Sequence, residues 1–74
     1  MSNLKELRQQ INATQEDVIL SGEGKLKGTT YRNAEKGNKV QYSTATTILL
    51  AFNRLRANKN MSELKLEDLD LSLE

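Results

Sequence analysis

The chain has 74 residues, with 11 Lys and Arg against 10 Asp and Glu, and it contains neither cysteine nor histidine. That length holds one small domain, and so short a chain buries only about 60% of its unfolded surface, so marginal stability is expected. Without cysteine there is no disulfide and no thiolate metal site. Without histidine the commonest general base and zinc ligand are missing, so neither an enzyme nor a metal or cofactor protein is expected.

The net charge of +1 conceals an uneven distribution. Residues 1–60 carry ten basic and five acidic side chains, a net +5, whereas residues 61–74 carry one lysine and five acids, a net −4. The first part suits a polyanion and the acidic tail opposes it. The longest apolar run, Ile48 to Phe52, is far short of the roughly 20 residues of a membrane span. The N-terminal Met1-Ser2-Asn3-Leu4-Lys5-Glu6 has no apolar signal-peptide core, so a cytoplasmic protein with no membrane association is expected.

A first helix is expected from Leu4 to about Ile11, with Asn3 as N-cap and Glu6 completing a capping box. Leu4, Leu7 and Ile11 share one helical face and Arg8 sits beside it. Thr14 caps a second helix by accepting from the Asp17 N–H; Glu16 and Asp17 suit its positive end, and Val18 and Ile19 point inward. That helix ends by Ser21 or Gly22, and Glu23-Gly24-Lys25 reads as a flexible turn. A third, basic helix follows from Lys27 to Lys36. Leu26, Thr30, Tyr31 and Ala34 form its inner side, and Lys27, Gly28, Thr29, Arg32, Asn33 and Lys36 look outward. Gly37 ends it by adopting positive φ.

Asn38 to Tyr42 has no helical period and reads as a loop. A fourth helix begins near Ser43 or Thr44 and reaches Ala57; Ala45, Ile48, Leu49, Phe52 and Leu55 give it the strongest 3.6-residue period in the chain. Arg54, Arg56 and Lys59 suit its negative end. After a turn at Asn58-Lys59-Asn60, Leu66, Leu69 and Leu71 suggest one short helical turn that closes the core, followed by a frayed end. The expected class is all-α, a four- to five-helix bundle spanning residues 1–74, with 61–74 as an acidic closing segment.

At these residues the chain resembles the phage-repressor-like helix-turn-helix family, which includes regulators of the xenobiotic-response-element type. The family pattern is LxxLR, then TQE(E/D)LA, a turn, and VSxxTIxxxExG. Leu4-Lys5-Glu6-Leu7-Arg8 resembles the first part and Thr14-Gln15-Glu16-Asp17-Val18 the second. Leu26 to Tyr31 and Ala34-Glu35-Lys36-Gly37 resemble the third. The fourth helix and the closing Leu66-Glu67-Asp68-Leu69 also have counterparts, so the likeness covers nearly the whole chain. Three departures stand out. The turn between the second and third helices is about two residues longer than the family norm. Ala34 replaces a larger apolar residue, and Gly28 replaces a base-reading side chain.

The resemblance implies a lambda-repressor-like domain that reads double-stranded DNA with its third helix in the major groove, as a dimer regulating transcription. It makes Lys27, Thr29 and Asn33 the base-edge candidates, with Gly28 at a step of degenerate readout. It makes Gln15 a phosphate contact at a helix N-terminus. Lys25, Arg32, Lys36 and Lys39 join Gln15 as phosphate contacts that position without specifying. It also implies an ion pair between Arg8 and Glu35 that ties the first helix to the third. On composition alone, the same residues are a solvated polar face. Tyr31, where the family has a core aliphatic residue, and Tyr42, which precedes the core helix, are not expected to be base-stacking aromatics. The alternative function is a protein-interaction module, such as an antitoxin-like partner, that uses the leucines of the acidic tail.

Overall fold

The first helix owes its place to Leu4, Leu7 and Ile11, which turn one apolar side onto the core. In a computed structural model, which describes residues 2–74, α1 spans Leu4–Gln10 and all three side chains are buried. Asn3 does not cap it. Its ψ of 8° is not the extended conformation that aims a side chain at the first turn, and no side-chain cap bond forms. Asn3 instead donates its backbone N–H to the carbonyl of Leu69 at 3.0 Å and its side-chain amide to that of Asp68 at 3.2 Å. The expected local cap has become a tether between the two ends of the described chain.

The second helix, α2, spans Gln15–Ser21 and begins with a complete capping box. The Thr14 hydroxyl accepts from the Asp17 N–H at 3.1 Å, and the Asp17 carboxylate accepts from the Thr14 N–H at 2.9 Å. The third, α3, spans Gly28–Glu35 and turns Tyr31 and Ala34 into the core. It ends in a Schellman motif: Asn38 N–H donates to the Asn33 carbonyl, Gly37 N–H donates to that of Ala34, and Gly37 has φ +93°.

The corner between α2 and α3 is a folded element, where the sequence suggests a flexible one. Gly22 is buried, and a Cβ built there would lie 2.5 Å from the Cβ of Leu26, so the corner closes only because residue 22 has no side chain. Glu23 and Gly24 follow with positive φ, and Lys25 N–H donates back to the Gly22 carbonyl. Arg54 of the next helix holds the corner from outside, donating to the Ser21 carbonyl at 2.6 Å and pairing with Glu23 at 2.7 Å.

That next helix, α4, spans Tyr42–Ala57 and starts a residue or two before the sequence suggests. It is the spine of the fold: Ala45, Ile48, Ala51 and Phe52 are fully buried, and Leu49 and Leu55 pack beside them. Arg56 lies in the last turn of α4, as expected, but its side chain turns inward. It is only 7% exposed and donates through Nε to the Ser62 carbonyl at 2.8 Å. Asn53, one turn earlier, exchanges two hydrogen bonds with the backbone of Leu64. These two side chains hold residues 61–65 against α4 and bring a 3-10 turn, Leu66–Leu69, onto the core, with Leu69 fully buried.

Residues 70–74 do not fray. Val40 N–H donates to the Ser72 carbonyl at 2.8 Å, and Glu74 N–H donates to that of Val40 at 2.9 Å, forming an isolated parallel bridge. The segment expected as a plain loop thus contributes the buried Val40 and a pairing edge. Among the described residues the chain is an all-α domain of four helices with no strand beyond that bridge. No helix in it is long and apolar enough to cross a membrane.

Candidate nucleic-acid interface

α3 divides lengthwise, and its inner half is fixed by one arginine. Arg8 on α1 donates through Nε to Glu35 Oε2 at 2.7 Å and through Nη2 to Oε1 at 3.0 Å, a two-pronged pair that matches the planar guanidinium to the carboxylate. Its Nη1 also reaches the Ala13 carbonyl at 3.2 Å. The two side chains are 15% and 9% exposed, so water screens the pair weakly. Burial by itself would raise the pKa of Glu35, but the donors around it, Arg8 foremost, hold it below the ordinary glutamate value. The hydrogen bond to Glu35 in turn raises Arg8.

Tyr31 lies next to this pair, fully buried. Burial first, and the neighbouring carboxylate second, push its hydroxyl far above the ordinary tyrosine range, so it stays protonated. That hydroxyl makes no hydrogen bond of good geometry, an unusual position for a buried donor. A role for Tyr31 as a stacking platform is excluded by its burial; Tyr42, at the first position of α4, is 65% exposed.

The pair continues outward as a chain of polar contacts. Gln15 donates its amide to Glu35 Oε1 at 3.2 Å and accepts from Arg32 Nε at 3.3 Å. Arg32 Nη2 then meets Glu16 at 3.3 Å in open solvent. Five side chains from α1, α2 and α3 therefore form a single run from the core edge to the surface. Gln15 is half-buried within it, and its head group is held by two neighbours.

The outer half of α3 carries the remaining candidates. Lys27, at the N-cap position, and Thr29 are exposed, and Asn33 is half-exposed on the next turn. Gly28 is less open than an outward-looking position suggests. It is half-buried, and a Cβ there would lie 3.0 Å from Arg32 Nη1 and 3.5 Å from Ile19 Cδ1. Arg32 folds back over it to reach Gln15 and Glu16, which is why the first turn of α3 has a glycine under a guanidinium. Lys25 in the corner, Lys36 at the helix end and Lys39 beyond it are all exposed. Asn33 and Lys39 border a depression of about 270 Å³ that is shared with Thr30, Gln41, Thr44 and Glu74.

Sequence reasoning had no role for Arg54, Asn53 and Arg56 beyond helix-end charge and composition. Their partners are backbone carbonyls and amides brought near only by folding, which leave no local signal in the chain. Comparison with known proteins found no family model that matches the chain and no significantly similar curated protein or solved structure, so the functional reading rests on the residues just described.

Proposed function

We propose that this chain is a small lambda-repressor-like helix-turn-helix protein that binds double-stranded DNA sequence-specifically through α3 in the major groove, as a transcriptional regulator. The observation that carries this reading is the division of α3. Its inner side is locked through Glu35, and its outer side offers Lys27, Thr29, Arg32 and Lys36 to solvent. A groove-reading helix needs both: a rigid back and a polar, cationic front. Lys27, Thr29 and Asn33 reach base edges in this reading, and Gln15, Lys25, Arg32, Lys36 and Lys39 meet phosphates. Arg32 must leave Glu16 to do so, and an exposed pair of that kind costs little to break. One such domain grips few base pairs, so a dimer on a two-fold site is the working form.

Selection from a pool of randomised duplexes at low salt tests this. A preferred, two-fold site is expected, with affinity falling steeply as salt rises, by roughly 0.9 in log–log slope for each phosphate neutralised. Thr29→Ala or Asn33→Ala should relax preference at one base step, whereas Lys36→Ala should weaken all sequences alike. Recovery of no preferred site would falsify the proposal.

A second reading, a protein-interaction module using the acidic tail, has one observation in its favour. Leu73 is 43% exposed and, with Leu66 and Leu71, lines a depression of about 520 Å³. A pull-down whose partner is lost when Leu73 is replaced by serine, with DNA selection failing, would favour it over the first.

A further inference from the structure

We infer that the acidic segment Asp70–Glu74 is a docked strap that competes with duplex phosphates for the outer edge of α3, so that the chain carries its own brake on polyanion binding. The inference rests on the DNA reading above and adds a regulatory part to it. Three observations place the strap. Its backbone pairs with Val40 through Ser72 and Glu74, which sets it parallel to the segment joining α3 to α4. Val40 is buried, so its neighbours Lys39 and Gln41 face outward on either side of the bridge. Glu74 then borders the same depression as Asn33, Lys39, Gln41 and Thr44.

A carboxylate at that position lies within the reach of its own field from any phosphate that approaches Asn33 or Lys39, since screening at physiological salt acts over about 8 Å. Among the described residues Glu74 forms no ion pair, and Lys39, on the rim of the same depression, is the cation for which it competes with a phosphate. The net −4 of residues 61–74 against the net +5 of residues 1–60 gives the contact its sign. The attachment to the body of the fold is light: beyond the local bond from Asp70 N–H to the Glu67 carbonyl it consists of two backbone hydrogen bonds to Val40 and a half-buried Leu71, so a duplex can displace residues 71–74 without unfolding Leu69 from the core.

Affinity for a fluorescent mixed-sequence duplex, read by anisotropy at low and at physiological salt, tests the strap. Four proteins are compared: the full chain, Glu74→Gln, a form lacking residues 70–74, and Glu63→Gln as a control. Glu63 adjoins Leu64, which is bound to Asn53, roughly 16 Å along α4 from Tyr42. Glu74→Gln uses only a side chain whose backbone makes the bridge, so its melting midpoint should match the parent. It should bind on the order of threefold tighter at low salt, with the gain shrinking as salt rises. The shortened form should gain more. In the full chain, the Val40 and Glu74 amides should lose hydrogen-exchange protection when duplex is added. Equal affinity of the parent and Glu74→Gln overturns the strap and leaves DNA binding intact. An equal gain from Glu63→Gln also overturns it, because the effect is then net charge and not position. Failure of all four proteins to bind any duplex removes the DNA reading and the strap with it.

Discussion

Two arginines tie this fold together, and they do it under opposite conditions. Arg8 and Glu35 meet with side chains 15% and 9% exposed, while Arg54 and Glu23 meet at the same 2.7 Å with 46% and 67% exposed. Equal distance does not mean equal strength. A buried pair left with one partner strands an uncompensated charge, whereas solvent takes over either half of an exposed pair. The buried pair sets the angle of α3 against α1, and the exposed pair, with the Ser21 carbonyl, steadies the α2–α3 corner.

Breaking the inner tie should have the largest effect. Arg8→Ala is expected to cost several kcal/mol, up to about 3–5 at the upper end for a partly buried pair, a large share of the stability of so short a domain. In urea or thermal melts the variant should be largely unfolded at room temperature; an unchanged midpoint would rule out the pair as a structural tie. The same contact sets an acid limit. Folded Glu35 binds its proton more weakly than the unfolded chain does, so the stability it contributes is fully present above the ordinary glutamate pKa of about 4.3. That stability is lost as pH falls through the depressed folded value. Melts of Glu35→Gln should therefore be flatter between pH 5 and pH 3 (roughly the ordinary carboxylate range) than those of the parent. Equal slopes would mean that other carboxylates set the acid limit.

The corner offers an intermediate test. Gly22→Ala places a methyl 2.5 Å from Leu26 Cβ and 3.2 Å from the Ile19 carbonyl, so helix and corner must separate. Its φ of −76° is ordinary, so the penalty is steric and not conformational. About 1–3 kcal/mol is expected, or a midpoint fall of at least about 4 °C. A variant as stable as the parent would show that the corner yields freely. Arg54→Ala should do least, within about 1 kcal/mol, with a difference that fades in high salt. A loss as large as that from Arg8→Ala would remove the contrast between the two ties.

Much of the helical plan could be read in the chain because its causes are local. Thr14 with Asp17, Gly37 after Glu35, and the period of Ala45, Ile48 and Phe52 each act within a turn or two. The misreadings share a different cause. Asn3 has the chemistry of a cap, but carbonyls of Asp68 and Leu69 compete for it. Arg56 has the chemistry of a helix-end charge, but the Ser62 carbonyl draws it inside. Residues 70–74 lack any internal reason to be ordered, and Val40, more than 30 positions away, supplies one. Of the interface candidates, the exposure of Lys27, Thr29 and Lys36 follows from polarity and helical period. The covering of Gly28 by Arg32 and the clasp on Gln15 depend on how α2 meets α3.

By itself, then, the amino-acid order determined where helices start and stop and which faces turn inward, because caps, glycines and apolar spacing act over a few residues. Tertiary structure alone decided which polar groups are spent inside the molecule and which remain free, because buried carbonyls and carboxylates take whichever donors folding brings within 3 Å or so. That selection fixed Arg56 and Asn53 as structural residues. It left Lys27, Thr29 and Lys36 facing solvent, and it paired residues 72–74 with Val40, beside Lys39 and Asn33.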